Sequence, residues 1–263
     1  MLALNEQPPR RANLIGIGAP RTATSSLARM LGATRKVFIP AEKEVNGFGI
    51  DADMTEARYE TRFADARSDC RYLADISPVY LSSRQAAERI RSYNPEAKII
   101  ATLREPVSRV ISQYRHMKAK IDVSLGPELA LDIDAYLRAG LAEIKSAQHQ
   151  ENSWYSASLN IAHSFYGSNL RRYYDLFPRD QIMVLIYEDL IRPRRFWEKG
   201  VWEQDLRKFL GIKVSQRYWD NRAKGFKTAV SDEVADELKE LFAAEVTATS
   251  ELVGRDLNRM WGY

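Results

Sequence analysis

The chain has 263 residues, 45% hydrophobic and 28% charged, with 39 basic against 35 acidic side chains and a net charge of +4. That composition suits one globular domain with its own core; the mild basic excess suits an anionic ligand and is too small to argue for nucleic acid. Cys70 is the only cysteine, and His116, His149 and His163 lack ligand spacing, so an internal disulfide and a cysteine zinc site are excluded and a reducing, cytoplasmic setting is expected.

Residues 1–12 are polar and carry Pro8, Pro9, Arg10 and Arg11, which predicts a flexible arm without the pattern of a signal peptide. Residues 13–263 are expected to form a single domain. "NLIGIG" reads as a short buried strand and "TSSLARMLGA" as the helix that follows it. "KVFIP" predicts a second short strand, 41–54 a loop, and "EARYETRFADA" a helix. "CRYLADIS" predicts a strand running into a loop at Pro78. "SSRQAAERIRSYN" predicts a helix capped by Ser82 or Ser83 and ended by Asn94-Pro95. "AKIIATLR" is the best strand in the chain, and "EPVSRVISQYRHMKAKI" a helix with Pro106 in its first turn. A helix is expected over 132–147, and one long amphipathic helix over "SASLNIAHSFYGSNLRRYYDLF". "DQIMVLIYEDL" predicts a strand and turn, "EQDLRKFLGI" a helix ended by Gly211, and 215–230 a basic and aromatic loop. The closing helix, "DEVADELKELFAAEVTATSELVG", starts on acidic residues, as the helix dipole favours. No apolar run approaches about 18 residues, so a soluble chain without stable membrane insertion is expected.

Strands alternating with helices predict an α/β fold, with a central, mainly parallel sheet covered by helices on both faces. Ligands of such sheets sit beyond the carboxyl ends of the strands. The first of those ends is "GAPRTATSS". Gly18 and Ala19 allow a close turn, Arg21 supplies a fixed positive fork, and Thr22, Thr24, Ser25 and Ser26 supply hydroxyls beside the free N–H groups of a helix start. This is a P-loop-like strand–turn–helix cradle for an anion, but not the nucleotide-triphosphate loop, which needs a Lys after its second glycine. "ATLREPVSRVISQY" adds Arg104 at another strand end and Ser112 eight residues later. Two anion sites on one sheet edge suggest a ligand with phosphate at two places.

With these motifs the chain resembles the sulfotransferases that use 3′-phosphoadenosine 5′-phosphosulfate (PAPS), most closely the heparan-sulfate type and its bacterial relatives. Pro20, Arg21, Thr22, Ala23, Thr24 and Ser25 match that family's phosphosulfate loop, with Arg21 in place of its lysine and Ala23 in place of its glycine. Arg104 and Ser112 match its 3′-phosphate element. "EKEVNGF" is similar to the stretch holding its catalytic base, which the resemblance assigns to Glu44, with Glu42 as the rival. "LADISPVYL" resembles its Glu-Lys-Thr-Pro-x-Tyr segment, with Ile76 for the lysine, and Asn46 stands for the histidine two after the base. "NRAKGFK" resembles its late nucleotide-covering loop, which implies a lid of Arg222, Lys224, Gly225, Phe226 and Lys227. Tyr166 is a candidate for the nucleotide or for packing. Asp75 and Ser77 either orient the acceptor or form the turn before Pro78. The family's disulfide-bearing loop cannot exist here.

The resemblance implies in-line sulfuryl transfer from PAPS, with adenosine 3′,5′-bisphosphate (PAP) as product. The acceptor would be a hydroxyl of a small molecule, glycan or lipid, without a metal. The alternatives are a P-loop-type nucleotide-dependent kinase and a non-catalytic relative that binds PAPS or PAP. His116 and His163 are read as surface or packing residues. Oligomeric state is not legible.

Overall fold

Five apolar runs pair side by side because each is too short and too β-branched to bury its backbone any other way. The computed structural model describes residues 11–49, 54–120, 124, 126–146, 155–192, 201–214 and 229–263. Its strands are β1 (Leu14–Gly18), β2 (Val37–Phe38), β3 (Tyr72–Ile76), β4 (Lys98–Leu103) and β5 (Ile182–Ile186). They form one sheet in the order β2-β3-β1-β4-β5, and every neighbouring pair is parallel. The chain leaves β1 toward β2 and β3, then crosses to β4 and β5 on the other side. The crevice where the winding reverses therefore lies between the carboxyl ends of β1 and β4.

The helices are α1 (Thr24–Gly32), α2 (Glu56–Glu60), α3 (Ala86–Tyr93), α4 (Pro106–Lys120), α5 (Ile133–Lys145), α6 (Ala157–Ala162), α7 (Tyr166–Leu176), α8 (Tyr187–Ile191), α9 (Val201–Leu210), α10 (Asp232–Val253) and α11 (Leu257–Trp261). Alternation along the strands splits the apolar side chains between two cores. Ile15, Ile17, Ile99 and Leu103 pack with residues of α3 to α7 and α10. Leu14, Ala74, Ile76 and Ile100 pack with residues of α1 and α9 on the opposite face. Both faces of the sheet are thus covered, as the sequence predicts.

The long helix expected over 156–177 is two helices, α6 and α7, broken at His163–Phe165. The break serves a buried cation. Arg109, fully buried on α4, donates from Nε to Ser164 Oγ at 2.5 Å and from Nη2 to Asn160 Oδ1 at 2.8 Å and to the Asn160 carbonyl. A continuous helix would tie up that carbonyl, and a guanidinium without acceptors costs far more to bury than a helix end. The start of α3 also differs. A short 3-10 turn, Pro78–Tyr80, follows β3, and α3 begins at Ala86 with Gln85 before it. Ser82 is engaged elsewhere, its Oγ 2.5 Å from the buried His163 Nδ1. The predicted helix over 56–66 is one turn of α2 followed by a 3-10 turn, Thr61–Phe63. Of the expected arm, Arg11 and Ala12 are described. Arg11 pairs with Glu56 at 3.0 Å, and the Ala12 N–H donates to the Tyr93 hydroxyl at 2.9 Å.

Candidate functional site

The loop after β1 is held from both sides. The Ala19 N–H donates to the Thr102 carbonyl of β4 at 2.8 Å, and the Leu81 N–H donates to the Ile17 carbonyl at 2.8 Å. Gly18, with φ of 116°, lies where a Cβ would stand 1.9 Å from the Pro78 carbonyl oxygen, so only glycine fits. Thr22 is buried, donates from Oγ1 to the Ala19 carbonyl at 2.6 Å and shares a 2.5 Å hydrogen bond with Thr102 Oγ1. Its hydroxyl therefore shapes the loop rather than facing a cleft. Pro20 and Ser25 are half-buried, whereas Ser26 is buried.

Arg21 and Ala23 both adopt left-handed φ, 67° and 74°. Left-handed residues in a turn curl successive main-chain N–H groups into a concavity that suits an anion. Ala23 precedes α1 without any side-chain cap, and the Leu27 N–H is bonded to the Ala23 carbonyl at 3.0 Å. The N–H groups of Thr24, Ser25 and Ser26 precede that ladder and remain available to a ligand. Ala23 carries the strain of this geometry in a residue with a Cβ. Ala23→Gly should raise stability by about 0.5 to 1 kcal/mol, measured by urea unfolding, because glycine adopts this φ without the Cβ clash.

At the neighbouring strand end, Arg104 lies over the Tyr187 ring at 4.6 Å. It does not pair with Glu105, whose carboxylate accepts from the Val107 and Ser108 N–H groups at 2.8 and 2.6 Å and caps α4. Arg21 Nε is 3.4 Å from Ser112 Oγ. Burial and the nearby Arg104 guanidinium pull the Arg21 pKa below its usual value. Among the described residues, no carboxylate lies within ion-pair distance of Arg21 or Arg104. The fold thus brings two like charges together, together with Ser112, at the reversal point of the sheet. Tyr166, another candidate, is fully buried with its hydroxyl close to Ser164, Arg109 and the Arg104 backbone. Burial, stronger than the favourable effect of Arg109, raises its pKa well above the ordinary value.

Glu44 lies on the loop after β2 with φ of 74°, and its side chain is 43% exposed. Asn46, also left-handed at 57°, has a buried Oδ1 without a partner. The turn between them is anchored from β3. The Asn46 N–H donates to Ser77 Oγ at 3.0 Å, and the Ser77 hydroxyl donates to Asp75 Oδ1 at 2.6 Å. The Tyr80 and Tyr59 hydroxyls donate to Asp75 Oδ2 at 2.6 and 3.1 Å. Burial raises the Asp75 pKa, opposed by these hydroxyls and a hydrogen bond from the Val45 backbone. Asp75 and Ser77 therefore hold the loop that carries Glu44. The rival base, Glu42, pairs with Arg62 at 2.5 Å and is 75% exposed.

Four residues join this site that sequence reasoning did not assign to it. Lys43 Nζ reaches Ser25 Oγ at 3.2 Å and Glu44 Oε1 at 2.6 Å. His116 lies one helical turn beyond Ser112, a spacing that puts both on the same face of α4. Burial, Arg21 and Lys120 pull its pKa down to about 4, against the raising effect of Glu44. That four-residue interval is the signal that would have found it. Tyr187 and the buried Arg109 complete the set. Arg222, Lys224, Gly225, Phe226 and Lys227 lie outside the described residues.

Residues 46–195 match the sequence model described as "Sulfotransferase family". The chain is 25% identical over 206 residues to human heparan sulfate glucosamine 3-O-sulfotransferase 6, covering 74% of this chain and 54% of that protein. It is 24% identical over 234 residues to human heparan sulfate glucosamine 3-O-sulfotransferase 3A1, covering 86% and 51%. The chain thus spans about half the length of these curated relatives. A solved sulfotransferase from Alicyclobacillus acidocaldarius superposes with a TM-score of 0.72 at 26% identity, covering 97% of this chain and 100% of that one. The sulfotransferase domain from the curacin biosynthetic pathway shares the fold, with a TM-score of 0.51 at 14% identity, covering 94% and 99%. With more than half of its length matched by the family model and its whole fold shared, this chain belongs to the sulfotransferase family.

Proposed function

We propose that this chain transfers a sulfuryl group from PAPS to a hydroxyl of a glycan, lipid or small-molecule acceptor. The observation that carries the donor is the pair of guanidiniums, Arg21 and Arg104, beside Ser112 and the open first turn of α1. Two cations without a carboxylate between them favour a ligand that brings negative charge at two points. PAPS, when bound, supplies the sulfuryl group and a phosphate oxygen as leaving group.

Arg104 and Ser112 are assigned to the 3′-phosphate. Arg21, Thr24 and the backbone N–H groups of residues 22–26, in the run Pro20–Ser26, are assigned to the 5′-phosphate and to charge on the departing oxygen. Donors fixed before the reaction need no reorganisation as that charge grows. Glu44 takes the acceptor proton, and Asp75 and Ser77 hold its loop. Tyr166, fully buried in the core, is read as packing behind the site, and the 222–227 segment is assigned to the lid. With the charge met by guanidiniums and N–H dipoles, this reading needs no metal, whereas a P-loop kinase would. The named relatives act on heparan sulfate, which puts carbohydrate hydroxyls first in an acceptor screen. Asn46 and Ile76 stand where the resemblance expects histidine and lysine, so heparan sulfate itself is not carried over. No helix among the described residues is long and apolar enough to cross a membrane.

Isothermal titration with PAP in EDTA tests the donor. Saturable binding at unit stoichiometry, unchanged on adding magnesium, is expected. Binding that appears only with magnesium would turn the reading toward the kinase, and no binding would remove PAPS as donor. A labelled-sulfuryl screen over glycan, lipid and phenolic acceptors then separates an enzyme from a non-catalytic relative.

A further inference from the structure

We propose that Lys43 is the cation that contacts the migrating sulfuryl group, an inference that rests on the donor reading above. The geometry is a bridge. The ammonium, on a side chain 23% exposed, spans from Ser25 in the first turn of α1 to Glu44, at 3.2 and 2.6 Å. Ser25 belongs to the cradle assigned to the donor phosphate, and Glu44 is the assigned base. An in-line transfer runs between those two points, so an ammonium touching both stands beside the path of the sulfur.

Arg21, the only basic side chain of the β1 loop, approaches the cradle from the β4 side, with its Nε 3.4 Å from Ser112 Oγ. Lys43 comes instead from the loop after β2, on the far side of β1 in the sheet order. Its ammonium has three donors, and Ser25 and Glu44 take two of them. The remaining donor suits a sulfuryl oxygen or the oxygen bridging sulfur to phosphate. In the transfer, the bond from the acceptor oxygen to sulfur forms while the bond from sulfur to the phosphate oxygen breaks. The acceptor proton passes to Glu44, and the bonding pair leaves on the 5′-phosphate. A positive charge fixed beside the sulfuryl oxygens attracts them in the ground state and meets the charge that builds on the leaving oxygen.

The nucleotide PAP carries both phosphates but no sulfuryl group, so comparing it with PAPS isolates the contact. Titration of wild type, Lys43→Met and Lys43→Arg with each nucleotide is the test. Lys43→Met should lose about tenfold in PAPS affinity and change PAP affinity less than about threefold, with Lys43→Arg near wild type. The double variant Lys43→Met/Glu44→Gln guards against a simpler cause, exposure of the sulfuryl group to an unscreened Glu44. The PAPS-specific loss should persist there. Loss that vanishes in the double variant, equal loss for both nucleotides, or no loss would each overturn the role of Lys43. Wild type that binds neither nucleotide would instead remove the donor reading itself.

Discussion

Replacing Arg104 by alanine should weaken PAP binding by roughly 30- to 150-fold, and Arg21→Ala should act in the same range. A hydrogen bond to a charged group contributes about 2 to 3 kcal/mol, which converts to that ratio. What distinguishes a ligand role from a structural one is the ligand-free protein. Arg21 is depressed in pKa by burial and by Arg104, so the two guanidiniums repel each other in the folded state. Removing either relieves the repulsion while giving up little: a 3.4 Å contact to Ser112 for Arg21, or stacking on Tyr187 for Arg104. Thermal unfolding should therefore show each variant's ligand-free Tm equal to or above wild type, with the PAP-induced rise reduced. Sites that bind anions commonly trade stability for function in this way. Because the two side chains are neighbours, the double variant should lose less affinity than the two single losses combined. Variants that lower the ligand-free Tm and bind PAP normally would show that the arginines only brace the fold.

How much of this was legible in the sequence depends on the range of the interactions involved. The β1 loop was readable because its signal is local: an apolar strand, Gly18 where nothing larger fits, and Ser/Thr at a helix start. The parallel sheet followed from alternation of strand and helix, and its order put Arg21 and Arg104 at one crevice. The break between α6 and α7 was not readable, because it is made by Arg109, more than 50 residues earlier in the chain. An arginine in an amphipathic helix reads as solvated surface, and nothing in its neighbours announces full burial. The α3 start was misplaced for a similar reason: Ser82 has the chemistry of a cap but its partner is His163, across the fold. Lys43 was not legible because its partner, Ser25, lies 18 residues earlier on a different element. Only the packing of the β2 loop against α1 brings the two side chains together.

Glu44→Gln should lower the rate of sulfuryl transfer by about 10² to 10⁴-fold, the range for loss of a general base, while PAP affinity stays within about twofold. Glutamine keeps the size of the side chain and an oxygen that accepts from Lys43, so the loop should survive the change. That loop does not depend on the carboxylate: it is anchored through the Asn46 N–H, Ser77 and Asp75, all beyond the substituted atom. A fall in kcat with intact nucleotide binding therefore reports the missing proton acceptor. Ser77→Ala supplies the contrast, since it removes the anchor but leaves the base. It should lower the rate less, through misplacement of Glu44, and part of its effect should appear in KM for the acceptor. Glu42→Gln, on a carboxylate paired outward with Arg62, should leave transfer unchanged. If Glu44→Gln turned over at the wild-type rate and Glu42→Gln did not, the base would be the other glutamate, and the strained turn at Glu44 would need a different explanation.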